Sequence, residues 1–96
     1  MSELDKLEQY LKDNQILYVR MDHDAEEPFF IDRHQIIVYD RNYARLWDAV
    51  CQQGSYGYEK GLLEVMGSPV VRWNDGDDVC GYLTADDVIE RLEERR

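Results

Sequence analysis

Leu4, Leu7 and Leu11 recur at spacings of three and four, the period of one helical face. Ser2 with Asp5 forms a capping-box pattern and Asn14 a stop, so a helix is predicted over residues 3–13. Its stripe, even with Tyr10 added, is narrow, which places the helix on a layer and not inside one. The period then falls to two. Residues 16–21 read as a strand with Leu17, Val19 and Met21 on one face and Ile16, Tyr18 and Arg20 on the other. Residues 35–39 read as a second, with Ile36 and Val38 opposite Ile37 and Tyr39. Since both faces of each strand carry apolar groups, the sheet is either covered on much of both sides or uses one side for association.

Residues 22–32 form an acidic loop interrupted by Pro28 and by Phe29, Phe30 and Ile31, a triplet that can fold back as a short edge segment. Residues 45–52 are ambiguous. As a helix they place Tyr43, Leu46, Trp47 and Val50 on one stripe; as a strand they alternate imperfectly, and periodicity favours the helix. Residues 54–61 are a turn-rich glycine loop. Leu62, Leu63, Val65 and Met66, closed by Gly67, suit either a short helix or a buried strand. Ser68 and Pro69 break that element, and residues 74–78 are a polar turn. Thr84 with Asp87 then forms a second capping box, Leu83 can staple onto Val88, and Arg91, Arg95 and Arg96 suit a helix end, so a helix is predicted over residues 85–94. The expected fold is one small α+β domain over residues 1–96. It holds a small antiparallel sheet of about three strands, an N-terminal and a C-terminal helix, and a short helix or strand near 59–66.

Composition narrows the function classes. Leu, Ile, Val and Phe make up 24 of 96 residues, above the roughly 20% below which charged chains stay disordered. Against 21 Asp and Glu stand 11 Lys and Arg, a formal charge of -10, which excludes a free-standing nucleic-acid binder, since phosphate is held mainly by Lys and Arg. A protein partner should be neutral or basic. A homodimer would also suit so small a core. No run approaches the roughly 20 apolar residues of a membrane span, and the first residues are acidic and polar, so no membrane partner and a cytoplasmic setting are expected. Cys51 and Cys80, without any CxxC, read as buried reduced thiols.

The charge is local. Asp22, Asp24, Glu26, Glu27 and Asp32 fall within residues 22–32, and Asp75, Asp77, Asp78, Asp86, Asp87 and Glu90 within 75–90, with no Lys or Arg in either stretch. Asp22, Asp24, Glu26, Glu27, Asp75, Asp77 and Asp78 are therefore candidate acidic docking residues.

No catalytic or cofactor-binding residue is expected. No G-x-S-x-G occurs, and Gly54, Gly57 and Gly61 are spaced neither as a dinucleotide fingerprint nor as a P-loop. Asp22, His23 and Asp24 offer metal-ligand types, but consecutive residues in an extended chain point to opposite sides. Setting Gly76 at position six of a calcium loop puts Tyr82 where a bidentate Glu is needed, so no metal is expected either. A small hydrolase or transferase would require His23 or His34 to converge with an acid and a thiol. Trp47, Tyr56, Tyr58 and Trp73 gather in sequence around the glycine loop and are candidate partner-binding residues, because aromatics with a polar handle are enriched in binding hot spots. Their alternative role is core wall.

Residues 35–40 (QIIVYD), Cys51, residues 55–57 (SYG), 61–67 (GLLEVMG) and 81–88 (GYLTADDV) carry a resemblance. Over about residues 34–90 the chain resembles a family of short acidic proteins of uncharacterised function from Gram-positive gut bacteria, many on conjugative or other mobile elements. The resemblance implies a setting and not an activity. In similar sequences an Asn-Gly-like turn follows the Val-Tyr-Asp, implying a hairpin; here Tyr43 follows Asn42, yet the resemblance tilts residues 44–51 towards strand. Two functions are expected from this reading. The first is a non-enzymatic interaction module accessory to a mobile element, and the second a polyanion mimic whose carboxylates block a basic nucleic-acid-binding protein.

Overall fold

Each helix starts at a reciprocal cap. Asp5 N donates to Ser2 Oγ at 3.0 Å while Ser2 N donates to Asp5 Oδ2 at 3.2 Å. Thr84 and Asp87 repeat the pattern at 3.1 and 2.9 Å. In the computed structural model, which describes residues 2–23, 32–68, 70–71 and 79–94, these caps open α1 (Glu3–Asp13) and α2 (Ala85–Glu93). Asn14 closes α1 as expected.

Among the described residues five strands lie between the helices: β1 (Tyr18–His23), β2 (Arg33–Tyr39), β3 (Arg45–Gln52), β4 (Leu63–Met66) and β5 (Val79–Leu83). They pair antiparallel in sequence order, β1-β2-β3-β4-β5. The α+β class holds, but the expected three strands are five. Residues 45–52 are strand, as the resemblance implied and against the helical period. The reason is an irregularity: Val38 pairs with Trp47 but Tyr39 with Arg45, which leaves Leu46 as an extra residue that spoils the alternation. Near 59–66 both alternatives occur in part, a short 3-10 turn at Tyr58–Lys60 and then the buried strand β4. The expected edge segment at residues 29–31 and the polar turn at 74–78 lie outside the described residues.

Both helices pack on one face of the sheet and on each other, α1 over β2 and β3, α2 beside β5. Leu4, Leu7 and Leu11 meet Ile36, Val38, Trp47, Ala49, Leu63 and Val65 in a single core. The faces follow from strand alternation. Among the described residues no helix covers the opposite face, where Val19, Met21 and Met66 are 48%, 46% and 50% exposed. Down its middle runs a polar strip. Gln35 Nε2 donates to Asp48 Oδ2 at 2.8 Å, Arg45 pairs with Asp48 at 3.0 Å, and Arg33 donates to Gln35 Oε1 at 3.0 Å.

Candidate functional site

The glycine loop is built by its own hydrogen bonds. Ser55 Oγ donates to Gln52 O at 2.7 Å and accepts from Gln52 N at 3.1 Å. Gly57 O then accepts from Lys60 N at 3.0 Å and Leu62 N at 2.9 Å, closing the turn that precedes β4. Gly57 has φ +98, and a Cβ there would sit 2.9 Å from Leu62 Cβ, so this position requires glycine twice over.

The loop meets β5 at a bulge. Leu63 pairs with Leu83 and Val65 with Cys80, so three steps along β5 answer two along β4. The surplus falls at Gly81 and Tyr82. Tyr82 takes φ 59, left-handed backbone that a bulky side chain rarely adopts. That twist stands its ring beside Tyr56: the centroids are 6.4 Å apart at 30°, and the residues are 58% and 61% exposed. Tyr82 N donates to Tyr56 O at 3.3 Å, and Tyr56 N donates to Glu64 Oε2 at 3.2 Å. A Cβ on Gly81 would collide with Tyr56 Cβ, so glycine lets the two segments touch. Beside the pair opens a cleft of about 480 Å³ lined by residues 53–60 and Tyr82.

The four expected aromatics separate. Tyr56 is at the surface as expected. Trp47 is 2% exposed and belongs to the core, so its ring is out of a partner's reach. Tyr58 turns inward and donates to Asp32 Oδ2 at 2.8 Å. Trp73 lies outside the described residues. Sequence reading missed Tyr82, although a glycine within a β-rich run, Gly81, is a bulge signal.

A second cluster forms where β1, β2 and β3 run side by side. Asp22 and Asp32 flank His34, with Nδ1 2.7 Å from Asp22 Oδ1 and Nε2 2.9 Å from Asp32 Oδ1. Cys51 pairs with His34 across the ladder. This is the meeting of histidine, acid and thiol that an enzyme reading required. The hydrogen bond to Asp22, then that to Asp32, raises the His34 pKa and favours the doubly protonated ring. Burial, followed by the Asp32 charge, pushes the Cys51 thiol up and away from thiolate. The Tyr58 hydroxyl and then His34 hold Asp32 below the usual carboxylate range.

Asp22 is also joined to Arg20, at 3.1 Å, and Arg20 reaches on to Asp5 at 2.8 Å and Glu8 at 2.9 Å on α1. Its hydrogen bond from Arg20, with those at Ser2, holds Asp5 at a pKa of about 2. Of the seven expected acidic docking residues, Asp22 is thus tied into the structure and still half exposed. Asp24, Glu26, Glu27, Asp75, Asp77 and Asp78 lie outside the described residues. No helix among the described residues is long and apolar enough to cross a membrane. Compared with known proteins, the chain matches no family model, no curated protein and no solved structure at a significant level.

Proposed function

We propose that this chain is a small, non-enzymatic protein–protein interaction module, accessory to a mobile element, that docks a neutral or basic partner in the cytoplasm through Tyr56 and Tyr82. One observation carries the reading: two large side chains stand stacked and exposed on a backbone whose left-handed turn at Tyr82 is held in place by a bulge and a glycine contact. Strain of this kind costs about 1–3 kcal/mol and clusters at binding sites. Exposed aromatics fixed before binding lose little entropy on docking and are enriched among hot spots.

The test pairs Tyr56→Ser with Tyr82→Asn, asparagine being tolerant of left-handed backbone. A photo-reactive residue at position 59 in the native host, exposed on the same cleft, identifies the partner, and purified partner then gives the affinity. The double variant is expected to lose about 30-fold or more in affinity with an unchanged fold. Tyr58→Phe, which removes only the bond to Asp32, is expected to bind as the parent does. Full binding by the double variant overturns the proposal.

A second reading is a polyanion mimic. It draws support from α1, whose first turn touches both acidic stretches: Glu3 accepts from Ala85 N at 2.8 Å, and Asp5 is linked through Arg20 to Asp22. Competition with duplex DNA for a basic DNA-binding partner at moderate salt supports it, and binding without competition removes it.

A further inference from the structure

β1 comes first in the meander, and among the described residues no strand pairs with its outer edge. Leu17 O accepts from Tyr39 N at 3.0 Å, which sets the phase of the ladder. Residues 19, 21 and 23 exchange their bonds with β2, so the N–H and C=O groups of Tyr18, Arg20 and Asp22 point outward. Edge strands are usually blunted by a bulge, a proline or a lysine. β1 has none of these, its only edge charges being Arg20 and Asp22, which are bonded to each other, and it keeps unbroken register with β2 over six residues.

The two sides of this edge differ in character. On the open face Leu17, Val19 and Met21 are 43%, 48% and 46% exposed. On the helix face Asp5, Glu8 and Asp22 surround Arg20, and Asp22 with Asp32 flanks His34, four carboxylates to one guanidinium and one imidazole. We propose that β1 receives an extended segment of a partner protein as a sixth, antiparallel strand, one whose side chains alternate between apolar groups and Lys or Arg. The apolar row lies against Val19 and Met21. A strand added about 4.8 Å away sets the cationic row beside Asp5, Glu8 and Asp22. Another copy of the chain fits less well, because it sets one carboxylate excess against another. The site lies at the opposite sheet edge from Tyr82 and does not rest on the tyrosine pair.

A short acetylated and amidated peptide alternating Val and Lys is the probe, titrated into the isotope-labelled full chain. Saturable binding is expected, with amide exchange at Tyr18, Arg20 and Asp22 slowed about tenfold or more and exchange at Val19 and Met21 unchanged. In the added strand the Lys amides face β1. N-methylation of the Lys residues should therefore abolish binding and N-methylation of the Val residues should leave it intact. Val19→Lys with Met21→Lys, both at exposed positions, should weaken binding about tenfold. Three results overturn the proposal. One is equal binding by the Lys-methylated peptide, and another equal binding by a Val–Glu peptide. The third is slowed exchange at Tyr18, Arg20 and Asp22 that grows with protein concentration without peptide, which identifies the occupant as a second copy.

Discussion

A histidine with a carboxylate at each ring nitrogen satisfies both only as the cation. His34 is in that position between Asp22 and Asp32, with Arg20 bonded to the same Asp22 and Cys51 across the ladder. Its pKa is raised, first by the bond to Asp22. The folded state therefore binds the proton more tightly than the unfolded one. That contribution to stability is complete below the ordinary histidine value of about 6.5 and is lost as pH rises through the raised native value. The urea midpoint should accordingly fall as pH rises above about 6.5, and His34→Gln should flatten the change. An equal fall in the variant would assign the effect elsewhere. None of this pairing could be read along the chain. His34 was visible as a residue able to meet an acid and a thiol, but which acid depends on the β1–β2 register, and register is a long-range property of two strands.

The elements differ in legibility for reasons that can be named. α1 and α2 were legible nearly to the residue because each begins with a side chain that bonds the backbone three positions on, a signal contained within four residues. β1 and β2 were legible by alternation, their ends displaced by two residues or fewer. Bulges hid the rest. Leu46 interrupts the alternation of β3, and Tyr82 interrupts that of β5, which was missed as a strand altogether. The same bulge in β5 makes the tyrosine pair, so the irregularity that concealed the element is the one that built the candidate site. Gly81→Ala tests that link. Its methyl group would collide with Tyr56 Cβ, and either ring or strand must move, at a cost of about 1–3 kcal/mol. The expected result is a lower thermal midpoint together with changed Tyr56 and Tyr82 ring resonances. Unchanged ring signals would show that the bulge does not position the pair.

Across the whole molecule, adjacent strands in the sheet are also adjacent in sequence. The helices that flank the sheet in the chain nevertheless meet each other, through Ala85 N to Glu3 Oε1 at 2.8 Å and Tyr10 Oη to Glu93 Oε1 at 2.6 Å. Charge at this scale is uneven: the formal -10 coexists with cations committed inside, above all Arg20, which serves three carboxylates. Composition gave the net figure and the order of residues its two acidic stretches; the fold adds that Asp22, in the first of them, is bonded to Arg20.

Such a topology has a consequence in time. Each hairpin closes a short loop, whereas α1 on α2 closes one of more than eighty residues, with Tyr10 and Glu93 83 positions apart. Loop closure grows costlier with length, so the sheet can zip strand by strand before the helices meet. Contacts made after the rate-limiting step hold a protein shut without helping it form. Tyr10→Phe removes one of them, a bond worth about 1 kcal/mol. Stopped-flow measurements should then show unfolding about fivefold faster at an unchanged refolding rate, whereas slower refolding would mean that the helices dock early. The contact between the helices is thus a latch on the lifetime of the folded state more than a step on the way to it.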